Sequence, residues 1–182
     1  MTRRRLLQTA TGAVLAGMMP AARAAGADQP APREGCTFSI GTYAMKDLPV
    51  EQAIGIIADA GFDGIEIGVA ADWNAAPGRM PAERRRAVRD LIQQRGLALT
   101  ALMEHLYPAE DDARHAADLE RLRGVFELAH DLAPDAAPLV QTVLGGGDWE
   151  GCKERFRDRL ADWVRIGQEA GTVIAIKPHR GG

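Results

Sequence analysis

Four residues combine an acid–base side chain with a position suited to catalysis. Glu66 lies inside an apolar segment, where a buried carboxylate without a partner would be costly. His105 follows another apolar segment, and histidine suits proton transfer, a hydrogen bond to a sugar hydroxyl, or metal ligation. Lys177, which ends a third segment just before His179, is predicted to pair with Glu66 or Glu104, to contact a phosphate or carboxylate, or to act as a nucleophile of lowered pKa. We take Glu66, His105, Lys177 and His179 as candidate catalytic residues.

Three further polar residues are candidates for substrate binding, because each follows a predicted strand. Tyr43 and Glu104 come at the ends of the first and third strands, and Asp148 follows the run 145–147 of three glycines after the fourth. The glycine run opens a helix whose N-terminal amides could hold an anion, although a simple tight turn explains it equally well.

The elements that must position these residues are apolar, β-branched segments alternating with amphipathic helices. The predicted strands span residues 37–43, 65–69, 97–102, 139–144 and 172–176, and the helices begin near residues 50, 81, 111 and 148. Single strands that alternate with single helices predict a parallel sheet of the α/β class. At the carboxyl ends of such strands, the candidate residues would meet at one edge of the sheet.

Two architectures fit this order of elements. The first is a partial TIM-type (β/α)8 barrel with five strands and four helices, and the alternative is a five-stranded, flavodoxin-like open parallel sheet. Strands recur about every 34 residues, so eight units would need about 270 residues, as in ordinary barrels. The first strand is not followed by a glycine-rich phosphate loop, which favours the barrel. We therefore expect a barrel domain over residues 36–182, truncated after its fifth strand.

Two histidines and two cysteines are predicted to have no part in the chemistry. His115 and His130 fall outside the apolar stripe of the third helix, formed by Leu119, Leu122, Phe126 and Ala129, and are expected to face solvent. Cys36 precedes the first strand and Cys152 follows the fourth, at opposite ends of a parallel sheet, so we expect two free thiols.

The N-terminus has the order of features found in an export signal. Arg3 and Arg4 precede a weakly apolar stretch over residues 9–19, and Ala22-Arg23-Ala24 is a small-x-small cleavage site. We interpret residues 1–24 as a twin-arginine signal peptide and residues 25–35 as a linker, which predicts a periplasmic or secreted protein. The stretch is too short for a stable membrane anchor, and the net charge of −3 gives no bias toward nucleic acid.

The chain resembles the sugar phosphate isomerase/epimerase family, whose barrels are related to xylose isomerase and endonuclease IV. The resemblance lies in the segment 61–67 (GFDGIEI), in the histidine after the third strand, and in the run 170–179 (AGTVIAIKPH). It implies a divalent metal, Mn, Mg or Zn, held mainly by carboxylates and histidines of the fifth to eighth strands. A glutamate normally stands where this chain has Lys177, and a cation there would repel the ion, so we assign no metal ligand in this chain.

The resemblance implies an exported sugar, or sugar phosphate, isomerase or epimerase that moves a proton beside a carbonyl of a small carbohydrate. Lys177 would then supply positive charge in place of a metal. The alternatives are a non-catalytic periplasmic sugar-binding module that kept the pocket, and an inactive gene fragment.

Overall fold

The computed structural model describes residues 37–145 and 147–178. The predicted signal peptide, the linker, Cys36 and His179 lie outside the described residues. Five strands alternate with four helices and two short 3-10 turns, the turns being Thr42–Met45 and Pro77–Arg79. The strands are β1 (Ser39–Gly41), β2 (Gly64–Gly68), β3 (Ala98–Met103), β4 (Leu139–Val143) and β5 (Ile174–Lys177). The helices are α1 (Val50–Asp59), α2 (Ala82–Gln94), α3 (Asp112–Leu132) and α4 (Trp149–Glu169).

All four strand pairs are parallel, and the strands lie in the sheet in the order β1-β2-β3-β4-β5. This sequential order is that of a (β/α)8 barrel, in which each helix leads to the neighbouring strand. A flavodoxin-like sheet places β1 between β2 and β3, so that alternative is wrong. The predicted α/β class with five strands and four helices of a TIM-type barrel is confirmed.

The helix boundaries follow from local signals in the sequence. Asp111 caps α3, since its carboxylate accepts a hydrogen bond from the backbone N–H of Arg114 at 2.8 Å. Gly61 follows α1 with φ +81°, a left-handed conformation that glycine adopts without strain. Gly96 and Gly171 end α2 and α4 in the same way, so each of these three helices stops where its strand must begin.

The main core lies between the sheet and the helices. Alternate residues of a strand face opposite sides, and Ile65 and Ile67 of β2 are fully buried on the helix side. They pack with residues of all four helices, among them Ile54, Val88, Phe126 and Trp163. Glu66, between the two isoleucines, therefore faces the concave side of the sheet, which in a barrel is its interior.

Candidate functional site

Glu66 and Lys177 interact electrostatically over the concave side of the sheet. Glu66 is half-buried, and its burial raises the pKa of its carboxyl, whereas the positive charge of Lys177 lowers that pKa by a smaller amount. The two residues belong to β2 and β5, which are separated by β3 and β4. The charge of Lys177 therefore acts on Glu66 across two intervening strands. We name this space, at the carboxyl ends of the strands, the mouth.

Gly41 makes room for the Glu66 carboxylate. It is the direct neighbour of Glu66 in the register of β1 and β2. A Cβ atom at position 41 would lie 2.7 Å from Glu66 Oε1, closer than carbon and oxygen can approach without displacement. Because Gly41 has no side chain, the Glu66 carboxylate can lie against the backbone of β1.

Four rings line one wall of the mouth, and we call them the aromatic cluster: Tyr43, Trp73, His105 and Tyr107. Tyr107 Oη and His105 Nε2 share a hydrogen bond of 2.9 Å. The Tyr43 ring contacts Trp73 edge-on at 5.3 Å between centroids and lies 6.1 Å from the His105 ring. Lys46 Nζ lies 5.9 Å from the Tyr43 ring centroid and 6.0 Å from that of Trp73. This wall combines apolar ring surface with polar hydrogen-bonding atoms, as sugar-binding surfaces require.

Two glycines fix the outer rings of the cluster. A Cβ atom on Gly68 would lie 2.3 Å from Trp73 Cζ3, so the indole lies directly against the backbone at the end of β2. A Cβ atom on Gly145 would lie 2.7 Å from Tyr107 Cδ1, and the φ of Gly145 is +82°. Substituting either glycine would push an aromatic ring out of its place.

Glu104 does not face the mouth. Its side chain is fully buried, and its Oε1 atom pairs with Arg121 of α3, whereas its Oε2 atom has no hydrogen-bond partner among the described residues. Burial raises the pKa of Glu104 to about 7, although the charge of Arg121 lowers it. The structure thus places the predicted substrate ligand under α3, in a buried ion pair, one residue before the histidine that does reach the mouth.

The other residues discussed from the sequence are Asp148, two histidines and Cys152. Asp148 is exposed and directly precedes α4, so the helix begins where the sequence predicted. Cys152 has a free, buried thiol, in agreement with the expectation for that residue. The prediction that His115 faces solvent is wrong: it is 5% exposed, and its Nε2 donates to Asp162 Oδ2 of α4 at 3.0 Å. His130 is exposed, as expected.

The comparison with protein families identifies the fold. The model of the xylose isomerase-like TIM barrels matches residues 54–182, more than half of the chain. The chain belongs to this family. No curated protein matches it.

Two solved structures are similar to the chain in fold. The apo form of the 3-keto-D-glucoside 4-epimerase YcjR from E. coli has a TM-score of 0.58 and 15% identity, over 79% of this chain and 56% of the epimerase. A xylose isomerase-like TIM barrel/4-hydroxyphenylpyruvate dioxygenase fusion protein has a TM-score of 0.56 and 21% identity, over 77% of this chain and 21% of the fusion protein. The chain therefore spans just over half of the epimerase, and at these identities the likeness shows the fold alone.

The described part of the mouth does not fit the divalent metal that the family resemblance implies. Hard divalent ions need several oxygen ligands. Here the positive charge of Lys177 already acts on the Glu66 carboxylate, and it would repel a metal ion bound there. No group of three or more His, Cys, Asp or Glu side chains among the described residues is arranged to hold an ion.

No helix in the described part of the chain is long and apolar enough to cross a membrane.

Sequence reasoning missed Trp73, Tyr107 and Lys46 as residues of the mouth. A composition signal was available, because the chain contains only two tyrosines and both belong to the aromatic cluster. Their loops follow β1 and β3, where residues that bind ligands in barrels are found. Trp73 was harder to predict from the sequence, because its indole is placed by a contact with the backbone of Gly68, which lacks a side chain.

Proposed function

We propose that this protein is a sugar isomerase or epimerase that moves a proton beside a carbonyl. The observation that carries the proposal is that a half-buried carboxylate, Glu66, lies near enough to a cation, Lys177, for that charge to lower its pKa. Membership of the xylose isomerase-like family and the likeness to a sugar epimerase support the same class of reaction. The substrate is a free or phosphorylated small carbohydrate.

Glu66 takes the role of acid and base. Its raised pKa brings it closer to neutral pH, where a carboxylate exchanges protons most effectively. Removing the proton beside the carbonyl leaves negative charge on the carbonyl oxygen as an enediolate. Lys177 stabilises that charge, and returning the proton to the neighbouring carbon or to the opposite face gives the isomer or the epimer.

The other mouth residues bind the sugar. Tyr43 and Trp73 offer ring surface to the C–H face of the sugar, and His105, held by Tyr107, hydrogen-bonds a hydroxyl or relays a proton. His179, two residues beyond Lys177, is proposed as a second acid–base group, and exposed Asp148 as a contact at the rim.

Exchange of substrate hydrogen with solvent deuterium tests the proposal without knowledge of the product. The full chain is incubated in D2O with D-fructose, D-xylulose or fructose 6-phosphate, and deuterium beside the carbonyl is followed by NMR. We expect exchange with the unchanged protein and at least a hundredfold slower exchange with Glu66→Gln. Glu169→Gln, at an exposed position in α4, is the control and should leave the rate unchanged. Equal exchange by both variants, or none by the unchanged protein, contradicts the assignment.

A non-catalytic sugar-binding module is the second candidate, favoured by the lysine at a position where relatives carry a metal-binding glutamate. It predicts sugar binding without deuterium exchange.

We also propose that the protein uses no divalent metal, because Lys177 repels it. In that case Lys177→Glu should raise the affinity for Mn2+ in a calorimetric titration, since the change removes a positive charge and adds a hard oxygen ligand. Tight binding that is the same in both proteins would show that Lys177 points away from any metal site.

We further propose that the protein is exported by the twin-arginine route to the periplasm or beyond. Changing Arg3 and Arg4 together to lysine should leave the precursor in the cytoplasm, since the receptor recognises the guanidinium pair. Arg33→Lys, beyond the predicted signal, is the control in cell fractionation. Normal processing of the double variant would refute the route.

A further inference from the structure

A second cavity adjoins the mouth. It has a volume of about 300 Å³ and lies between the segment after β3 and the first turns of α3 and α4. His105 and Tyr107, which share a hydrogen bond in the aromatic cluster, also line this cavity. The cavity and the mouth therefore share the wall that these two residues form.

The charged side chains of this cavity cancel one another. Arg114 pairs with the buried Asp118 at 3.1 Å, and Arg155 lies 3.8 Å from Glu110. A phosphate or carboxylate would meet Asp118 and Glu110, and an ammonium group would meet the two arginines. A neutral group with many hydroxyls fits better, because each hydroxyl both donates and accepts a hydrogen bond.

Arg155 and Phe156 supply the remaining features of a sugar site. The Arg155 side chain lines the cavity and is 34% exposed, so a ligand in the cavity can reach it, and a guanidinium donates hydrogen bonds to hydroxyl oxygens. The guanidinium lies 5.7 Å from the centroid of the Phe156 ring, and Phe156 and Tyr107 present aromatic surface to the cavity. The volume reaches the lower limit of roughly 300 Å³ that is usual for small-molecule sites.

We infer that this cavity is a second sugar subsite and that the substrate is a carbohydrate of two linked units. One unit occupies the mouth beside Glu66, and the other lies over the wall formed by His105 and Tyr107, with its hydroxyls bound by Arg155. The inference rests on the proposed function, because it needs the mouth to bind a sugar.

Calorimetric titration of the full chain with D-glucose, maltose and cellobiose tests the inference. We expect at least one disaccharide to bind about tenfold more tightly than glucose. Arg155→Ala should remove most of that gain, again about tenfold, and leave glucose binding unchanged, which also reports that the variant is folded. Arg157→Ala is the matched control, since Arg157 lies in the same helix and pairs with the exposed Glu154 and Asp158.

The outcomes separate the two proposals. If glucose binds and neither disaccharide binds more tightly, or if Arg155→Ala weakens glucose and disaccharide alike, the second subsite is wrong and the proposed function is unaffected. If none of the three sugars binds, the second subsite is wrong, and the proposed function is decided separately by the deuterium exchange.

Discussion

Glu104 should make the protein less stable as the pH rises toward neutrality. Burial raises the pKa of its carboxyl from 4.5 to about 7 in the folded protein. Below pH 4.5 the carboxyl is protonated in both the folded and unfolded states. Between that pH and about 7 the folded protein keeps a proton that the unfolded chain has lost, so the free energy of unfolding falls over this interval.

The size of the effect follows from the shift in pKa. A difference of about 2.5 pH units, at about 1.36 kcal/mol for each unit, corresponds to about 3 kcal/mol of unfolding free energy. That is a large share of the roughly 5–15 kcal/mol that stabilises an ordinary domain. The loss should be complete a little above pH 7, where Glu104 is ionised in both states.

Glu104→Gln isolates this contribution, because glutamine keeps an acceptor for Arg121 but does not titrate. Urea unfolding followed by tryptophan fluorescence at pH 4.5 and pH 8 gives the free energies of the two proteins. We expect their difference to shift by about 3 kcal/mol in favour of the glutamine variant at the higher pH. Glu127→Gln, at an exposed position in α3, should show no such shift. Parallel pH profiles for the unchanged protein and Glu104→Gln would refute the reasoning.

Three further perturbations test other parts of the structure. Gly41→Ala should displace the Glu66 carboxylate, which a Cβ would approach to 2.7 Å, and slow deuterium exchange at least tenfold while circular dichroism stays unchanged. Lys177→Met should raise the pKa of Glu66 further, because the positive charge that lowers it is lost. The deuterium-exchange rate, measured against pH, should then begin to fall at a higher pH as the solution is made more acidic. Arg84→Ala should lower the unfolding free energy by about 1–2 kcal/mol in urea titrations, since it removes a two-bond ion pair with Glu51 and hydrogen bonds to the loop before α2.

Each of these perturbations has a control of the same residue type elsewhere in the chain. Gly55 of α1 has open space where a Cβ would lie, so Gly55→Ala should leave exchange unchanged. Lys153→Met in α4 should not change the pH at which the exchange rate begins to fall, and Arg86→Ala at an exposed position of α2 should change stability by under about 0.5 kcal/mol. Equal effects in a variant and its control would contradict the corresponding assignment.

The sequence predicts the helices better than the strands. The predicted start of α3 at Asp111 and of α4 at Asp148 agree with the structure within a residue, because cap residues and apolar periodicity are local signals. The first strand was predicted as 37–43, whereas β1 is Ser39–Gly41. It ends early because Thr42 turns inward, where its hydroxyl accepts a hydrogen bond from the backbone N–H of Gly68 at 2.9 Å. That contact joins distant parts of the chain and leaves no local signal.

The misplacement of Glu104 has a similar cause. The register of β2 and β3 is irregular: Ile65 is opposite Leu99, but Glu66 is opposite Ala101, so Thr100 is an extra residue. A bulge shifts the alternation of a strand by one residue and exchanges its two faces. Beyond Thr100, Leu102 and Glu104 therefore face the helices, whereas uninterrupted alternation would have turned Glu104 toward the mouth.

The same bulge connects stability with function. It buries Glu104 beside Arg121, which destabilises the folded protein near neutral pH, and it turns the next residue, His105, toward the aromatic cluster. Only the Oε1 atom of Glu104 is paired, with Arg121, and Oε2 has no hydrogen-bond partner among the described residues. A buried ion pair is a costly way to stabilise a fold, and an apolar pair of similar size often does better. An apolar residue at 104 could fill the same space, but it would leave the guanidinium of Arg121 without this carboxylate, so the two residues would have to be replaced together.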